Sequence, residues 1–427
     1  MTDTTTTEPE STEAEDVGFA SDLTQSTTLG ESVRAYFTRV RGGDMGALPS
    51  VLGLVVLFVV FGIANDRFLS DLNMANLISQ SGSIIILAMG LVPVLLLGDI
   101  DLSAGVAGGV AACVMGLELV KHEQPWYLAV LAGLATGALI GLIIGVLVAK
   151  LGIPSFVVTL AFFLGLQGVT LKLIGDGGSV RIDDPVISGI ANDNLTPFWG
   201  WILTIAVIAG YATITLWGHH RKVAQNLQHQ PLAVVVAQNI ALAVILLAVT
   251  YLLNQNRSVN PNFPIEGIPY VLPVVAVLLI LWTFILGRTT FGRHVYAVGG
   301  NSEAARRAGI GVDRIRILVF ICCSTMAAVS GIVAASYGGK VSTSSGGGNV
   351  LLYAVGAAVI GGTSLFGGKG KARDAVIGGL VIATIANGLG LLNQASYINF
   401  LVTGGVLLLA ASVDAISRRR RSATGTS

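Results

Sequence analysis

The stretch RTTFGRHVYAVGGNSEAARRAGIGVDRIR, residues 288–316, is a polar, glycine-punctuated interruption between two long apolar runs, and it holds six arginines. Its centre predicts a short helix. Asn301 or Ser302 can cap the N-terminus, and Glu303 lies in the first turn, where the helix dipole is positive. Two arginines occupy the last turn, and Gly309 follows as a helix stop. A helix this short has little stability alone. The stretch is therefore either a docking helix or a plain connection whose arginines set membrane topology.

The composition places the chain in a membrane. Of its 427 residues, 53% are hydrophobic and only 11% are charged, whereas soluble domains carry about 25% charged residues. The net charge of +1 gives no bias toward nucleic acid. Residues 1–47 begin Thr-rich and acidic and become basic before the first apolar run, which predicts a disordered cytoplasmic tail. The three cysteines lie in apolar runs, and no Cys/His pattern predicts a metal site.

Apolar runs close to the ~20 residues that a membrane helix needs recur along residues 48–417. We expect an all-α polytopic membrane helical bundle of about twelve spans, some of them broken by glycine. The spans are expected near 48–64, 76–97, 103–120, 127–149, 154–174, 199–217, 232–253, 269–287, 315–337, 349–366, 374–392 and 398–416. With the N-terminus inside, this count places most of the 25 basic residues on the inner side, as the positive-inside rule requires. Both termini are then cytoplasmic, and residues 418–427 form a basic cytoplasmic tail.

Within the opening stretch, FGRHVYAVGGNSEAARRAGI (residues 291–310) resembles the cytoplasmic coupling segment of bacterial ABC importer permeases of the ribose/xylose type. The matching positions are Gly292, Gly300, Asn301, Ala304, Ala305, Gly309 and Ile310. In that family, such a segment docks in a cleft of the ATP-hydrolysing subunit and transmits its motion. The resemblance therefore implies an ATPase-coupling role for these positions and for Glu303 beside them.

A second signature, GDIDLSAG (residues 98–105), breaks an apolar run. Asp99 and Asp101 lie next to membrane depth, where carboxylates are costly and often functional. Ser103 and Gly105 suit an unwound connection that lines a polar cavity. Sugar-type permeases have a similar stretch, from which Asp99 departs, and the resemblance implies a role in the translocation path. The residues alone leave open a tight turn with both aspartates in water.

Other polar and glycine positions extend the candidate path. Asn76 and Gln80 lie on the preceding span, either to hydrogen-bond a substrate or to bond neighbouring helices. GGTSLFGG (residues 361–368) resembles a further family signature, which adds Gly361, Gly362 and Thr363. These glycines do not form a nucleotide-binding loop, because the Walker spacing of glycines before a Lys-Ser/Thr pair is missing.

The resemblance implies the membrane-spanning permease subunit of an ATP-driven importer for a monosaccharide, with xylose or a related pentose or hexose favoured. The chain is then not an enzyme and binds no cofactor itself, since ATP and Mg²⁺ belong to separate ABC ATPase subunits. An extracytoplasmic sugar-binding protein, a second copy of the permease and membrane lipid are the other expected partners, with no nucleic acid. The expected location is the bacterial cytoplasmic (inner) membrane.

Other functions stay open at this point. Nucleosides, autoinducer sugars or branched-chain amino acids are alternative substrates for related permeases. A secondary transporter driven by ions would need a charged relay, yet apart from Asp99 and Asp101 the spans are nearly free of charge. A membrane-embedded enzyme would need a convergent acid, base or metal set, which the sequence lacks.

Overall fold

The computed structural model describes residues 48–175, 178–227, 229–258, 260 and 262–423. The predicted tail 1–47 lies outside the described residues. Of the predicted basic tail, residues 418–423 continue the last helix, and residues 424–427 lie outside the described part.

The described chain is built almost entirely from helices. They are α1 (Leu48–Ala64), α2 (Asp71–Leu96), α3 (Ala104–Val120), α4 (Trp126–Ala149), α5 (Ser155–Ile174), α6 (Pro185–Asn192), α7 (Pro197–Ala224), α8 (Leu232–Leu253), α9 (Val271–Arg288), α10 (Thr290–Gly300), α11 (Ser302–Arg307), α12 (Val312–Gly338), α13 (Val350–Gly361), α14 (Ala372–Leu391) and α15 (Ser396–Ala423). Short strands β1 (Ser179–Arg181), β2 (Asn194–Leu195), β3 (Ile268–Pro269) and β4 (Lys340–Ser342) form the antiparallel pairs β1–β4 and β2–β3.

Each expected span coincides with one helix. Among the described residues, eight helices are long and apolar enough to cross a membrane, namely α2, α4, α5, α7, α8, α9, α12 and α14. Shorter apolar helices are α1, α3, α13 and the part of α15 from Tyr397 to Leu409. An all-α polytopic membrane protein is therefore confirmed.

Helix α12 lies at the centre and packs against α2, α3 and α4. Its contact with α4 is formed by glycines at four-residue spacing, Gly137, Gly141 and Gly145. A Cβ added at Gly145 would lie 2.8 Å from the Cα of Ile317, so any side chain there would separate the two helices. Helix pairs in membranes gain stability from such close backbone approach, since lipid removes most of the hydrophobic driving force.

Loops meet at two ends of the bundle. Residues 96–103, 289–311 and 362–371 contact one another at one end, which we name the coupling end. The opposite end carries both strand pairs and α6, whose residues bond to the end of α12 through Ser336.

The structure refines two of the expected elements. The polar stretch contains two helices, α10 and α11, where the sequence predicted one. The expected span 349–366 has a helix only from Val350 to Gly361, because Gly362 turns out of it with a φ of +119°. Residues 339–349 before that helix are a strand followed by turns; we name them the unwound segment.

Helices α7 and α8 form a hairpin at the edge of the bundle. They pack mainly on each other, and Thr204 and Thr250 share a buried hydrogen bond of 2.7 Å between them.

Candidate functional site

Local sequence explains the shape of the coupling segment, α10 and α11. The Thr289 hydroxyl caps α10 by accepting a 3.2 Å hydrogen bond from the Gly292 amide. Of the two predicted caps for α11, the structure uses Asn301, whose Oδ1 accepts from the Ala304 amide at 2.9 Å. The chain leaves α11 through Gly309, whose φ of +83° favours glycine. The Ile310 amide then donates to the Ala305 carbonyl at 3.0 Å, which completes a C-terminal cap.

The predicted coupling residues divide into an exposed and a buried set. The exposed ones are Gly300, Asn301, Glu303, Ala304 and Gly309. Ala305 is buried against the hydrophobic core, so it holds α11 down on the bundle. Gly292 is also buried, and a side chain there would overlap the carbonyl oxygens of Ile285 and Leu286 where α9 turns into α10.

The exposed face of α11 is charged and partly paired. Glu303 accepts a hydrogen bond from Arg307 at 3.1 Å, one helical turn away. Arg306 lies 3.7 Å from Asp313 at the start of α12. Both pairs are solvent-exposed, so each adds little to stability. Their arginines remain accessible to an acidic surface on a partner.

The coupling segment is bonded directly to the glycine loop between α13 and α14. The Tyr296 hydroxyl on α10 donates a 2.7 Å hydrogen bond to the Gly370 carbonyl. Burial raises the pKa of Tyr296, which keeps this hydroxyl protonated and able to donate. Gly299, at the end of α10, packs on the Leu96 carbonyl where α2 ends, and the Gly368 amide donates to the same carbonyl at 2.9 Å. Helix α10 therefore contacts both the end of α2 and the loop that precedes α14.

The predicted turn 98–105 places its aspartates inside the protein. Asp99 and Asp101 are buried, so the alternative with both in water is wrong. Asp99 lies 3.3 Å from Arg316 of α12, and its pKa is raised because burial outweighs the attraction of that guanidinium. Asp101 starts α3 by accepting from the amide and hydroxyl of Ser103, at 2.9 and 2.6 Å.

The predicted residues Gly361, Gly362 and Thr363 also belong to the coupling end. A side chain at Gly361 would overlap the Asp374 carbonyl, so this glycine allows α13 and α14 to touch. Thr363 is buried. These three residues are not among those that line the cavity described next. In this structure they lie between the cavity-lining helices and the coupling segment.

A cavity of about 250 Å³ lies between α2, α3, α12 and the unwound segment. Its polar lining residues are Ser83, Ser330, Lys340, Ser345 and Tyr353. Predicted Gly105 lines it as well, and a Cβ at Gly105 would lie 2.7 Å from the Gly346 carbonyl oxygen. Glycine is therefore required where the unwound segment passes α3.

The predicted residues Asn76 and Gln80 share one face of α2 with the cavity. Positions 76, 80, 83, 84 and 87 follow the helical repeat, and the last three line the cavity. Asn76 is exposed. Gln80 donates a 3.0 Å hydrogen bond to the Tyr337 hydroxyl and lies 3.5 Å from the Asn387 amide. This face therefore leads from the opposite end toward the cavity.

Sequence reasoning missed the unwound segment and α10. The repeated serines and glycines of TSSGGG (residues 343–348) signal an irregular backbone, and would have identified the cavity wall. Tyr353 and Ser330 have no such signal, because each stands alone in an apolar run.

Comparisons with known proteins agree with this architecture. A family described as branched-chain amino acid transport system / permease component matches residues 73–411. The chain is 34% identical over 374 residues to the xylose transport system permease protein XylH of Haemophilus influenzae, covering 87% of this chain and 96% of the relative. It is 32% identical to XylH of Escherichia coli K12, with coverage of 90% and 95%. The ribose import permease protein RbsC of Escherichia coli K12 is 30% identical, with coverage of 91% and 98%. No solved structure matches.

The matched region contains the coupling segment, residues 98–105 and 361–368, and the cavity, and the relatives align over nearly their whole length. Permease subunits of this kind span the membrane and are not themselves enzymes. The chain therefore belongs to the ABC transporter permeases of the ribose/xylose type.

Proposed function

We propose that this protein is the membrane-spanning subunit of an ATP-driven importer for a monosaccharide, with xylose as the preferred substrate. The curated relatives at 30–34% identity carry xylose or ribose in their names, which favours a sugar over a branched-chain amino acid. The two xylose relatives have the higher identities, 34% and 32% against 30%.

The observation that carries the mechanism is the bonding at the coupling end. Tyr296 and Gly299 join the exposed coupling segment to the loop after α13 and to the end of α2. Asp99 and Arg316 join the turn after α2 to α12. A partner that pulls on α11 therefore moves the helices that surround the cavity.

The partner at α11 is an ABC ATPase, which carries the ATP and Mg²⁺. Gly300, Asn301, Glu303, Ala304 and Gly309 form its contact surface, while buried Ala305 and Gly292 fix the orientation of that surface. A binding protein delivers the sugar at the opposite end, which carries charged loops such as 179–184 around a groove of about 650 Å³.

The remaining assignments follow from the same architecture. Twelve helices cross the bacterial cytoplasmic membrane, both termini lie in the cytoplasm, and the coupling end faces the ATPase. Two copies of the permease face each other across the path. Exposed Asn76 supports this pairing, because a polar side chain on a membrane helix avoids lipid and faces water or protein.

The test is uptake into proteoliposomes that contain the permease, its ATPase and its binding protein. We expect ATP-dependent accumulation of D-xylose that persists when a proton uncoupler is added. Parallel assays measure the uptake of D-ribose and of L-leucine in place of D-xylose. Uptake that needs an ion gradient and no ATP contradicts the importer mechanism. Uptake of leucine without either sugar contradicts the substrate class.

A further inference from the structure

The cavity between α2, α3, α12 and the unwound segment has hydroxyl groups on three of its walls. Ser83 lies on α2, Ser330 on α12, and Ser345 in the unwound segment. Half-buried Tyr353 adds an aromatic side chain at the start of α13. The cavity walls are otherwise mostly glycine, alanine and aliphatic residues, so its polar groups are few and placed on different sides.

The serines retain complementary hydrogen-bonding capacity. Ser330 donates its proton to the Ser83 carbonyl at 2.7 Å, so its lone pairs remain free to accept. Ser345 accepts from the Ser342 amide at 2.9 Å, so its proton remains free to donate. The Ser83 hydroxyl has no hydrogen-bond partner within the described part of the chain, and can do both. A ligand that both donates and accepts, as a sugar hydroxyl does, matches this set.

The unwound segment adds backbone groups to the same site. Gly346 lines the cavity with a φ of +71°, outside any helix or strand. Neither its amide nor its carbonyl has a hydrogen-bond partner among the residues that the structure describes. Unpaired backbone at membrane depth is tolerated where it lines a polar cavity, and transporters use such backbone to hold substrates.

Charge and volume restrict the ligand. Lys340 is exposed and is the single charged side chain among the described residues that line the cavity. An amino acid would bury an ammonium group with no carboxylate to pair it, at a large desolvation cost. The volume of about 250 Å³ suits one sugar ring better than a disaccharide.

The cavity is open on one side and closed on the other. Exposed Ala334 and Lys340 form its rim toward the opposite end. Toward the coupling end, α2 and α12 touch, since a Cβ at Gly90 would lie 2.6 Å from the Cβ of Met326. Leu91 and Phe320, which lie nearer the coupling end on α2 and α12, are fully buried. A ligand in the cavity therefore has access from the opposite end alone.

We infer that this cavity is the binding site that a neutral monosaccharide occupies during translocation, held by Ser83, Ser330, Ser345, Tyr353 and the backbone of Gly346. The inference rests on the proposed function and goes beyond it by assigning residues on α12 and in the unwound segment.

The test uses cysteine labelling in the full-length permease reconstituted with its ATPase. In Ala334→Cys, a water-soluble maleimide reacts at the rim of the cavity. We expect D-xylose, at concentrations that saturate even a millimolar site, to slow this labelling at least threefold. An equal osmolarity of sucrose, a disaccharide, leaves the rate unchanged. The unsubstituted chain gives the background, because Cys113 and Cys323 are buried and Cys322 is half-buried.

Thr343→Cys is the matched control. Thr343 lines a second cavity of about 250 Å³ on the other face of the unwound segment, beside α5, and Ser345 borders both cavities. Xylose is expected to leave its labelling rate unchanged. Protection at Thr343→Cys without protection at Ala334→Cys overturns the inference and places the sugar in the other cavity. Equal rates with and without xylose at Ala334→Cys overturn it as well.

A second pair of variants tests the site by occupying it. Ala334→Trp fills the cavity and is expected to lower xylose uptake at least tenfold while the permease still binds the ATPase. Ala161→Trp adds the same side chain at an exposed position on α5 and keeps uptake near the unsubstituted level. Wild-type uptake of Ala334→Trp overturns the inference. Failure of the unsubstituted complex to transport any monosaccharide refutes the proposed function instead, so the two failures are distinguishable.

Discussion

Gly309 ends the coupling helix in a backbone conformation that side chains disfavour. Its φ is +83°, and no atom lies within 4 Å of the place where a Cβ would stand. Backbone strain is therefore the sole expected penalty for a small substitution, ~1–2 kcal/mol for most residues. We expect Gly309→Ala to lower the sugar taken up per ATP hydrolysed several-fold, because the strained cap displaces the contact surface of α11.

Gly309→Asn is the matched variant, because asparagine enters the left-handed region more readily than alanine. It should retain most of the coupling in the same proteoliposome assay. If Gly309→Ala and Gly309→Asn lose coupling equally, the left-handed conformation is not the reason. If both variants and Gly309→Trp transport normally, α11 is not the docking element.

The burial of Asp99 makes the free energy of unfolding depend on pH. Its folded-state pKa lies above the usual ~3.9, so the folded chain keeps a proton that the unfolded chain releases between the two pKa values. The free energy of unfolding therefore falls as the pH rises through that window and stays lower above it. Thermal unfolding of the purified permease from about pH 4 to pH 7 measures this slope.

Asp99→Asn should flatten part of the slope, because an amide does not titrate. Asp101, whose pKa is also raised by burial, retains part of the slope in this variant. Asp183→Asn provides the control, since Asp183 is exposed and paired with Arg181 at the surface. An Asp99→Asn profile parallel to that of the unsubstituted chain contradicts a buried, titrating Asp99.

At the scale of elements, the sequence predicts the helices well and their mutual contacts poorly. The twelve apolar runs mark the helices because each must bury its backbone polar groups within one segment at membrane depth. Capping residues around 301–309 locate α11 because that signal is local. The sequence did not predict α10, because its mixture of glycine, polar and apolar residues does not resemble a membrane span.

The candidate site depends on contacts that no local pattern contains. Residues Leu96, Gly299 and Gly368 meet although about 200 positions separate the first two. The family resemblance identified the signature at residues 361–368. It did not indicate that the loop after α13 contacts the coupling segment. The sequence could not predict the cavity for the same reason, since its walls come from four separate elements.

Two adjacent glycines at the end of α10 provide a test of the link between coupling segment and bundle. A side chain at Gly299 would overlap the Leu96 carbonyl and lie 3.2 Å from the Gly368 amide, whereas no atom lies within 4 Å of a Cβ at Gly300. We expect Gly299→Ala to push α10 off the end of α2 and reduce uptake per ATP at least fivefold. Gly300→Ala should lower the ratio less than Gly299→Ala does, because Gly300 lies on the proposed ATPase contact surface but its Cβ would meet no atom of the bundle. Equal effects would show that the Leu96 contact does not transmit motion.

At the scale of the whole molecule, the α7–α8 hairpin stands apart from the rest. In the most apolar 18-residue stretch of each helix, 11% is buried in α7 and 6% in α8, against 72% in α2. The hairpin is held together by its own contacts, including Thr204 with Thr250 and Thr215 with Asn239. Most of its exposed side chains are apolar, as expected for helices surrounded by lipid, and Arg221 and Lys222 lie in the last turn of α7.

Within the described part of the chain, the hairpin contacts the bundle mainly at the opposite end. Leu253 packs with Ala75 and Ile268, and Arg257 donates to the Gly267 carbonyl at 3.1 Å and the Asn194 side chain at 3.2 Å. The Arg257 bonds lie at a residue that follows the hairpin, so they survive its removal, whereas the contacts of Leu253 are lost with α8. The cavity and the coupling end contain no described residue of α7 or α8.

A chain that lacks residues 197–253, with residue 196 joined to 254 through a short glycine linker, should therefore still fold and transport. We expect xylose uptake within about threefold of the full chain, since neither the cavity nor the coupling surface changes. Deletion of residues 126–149 is the contrasting variant, because α4 packs along α12 through its glycines and its loss should prevent folding. Size-exclusion chromatography and uptake of the hairpin-deleted chain check the first expectation. If the hairpin-deleted chain is folded but inactive and no longer pairs with a second copy, α7 and α8 lie in the permease dimer interface. That result would refute their assignment as lipid-facing helices.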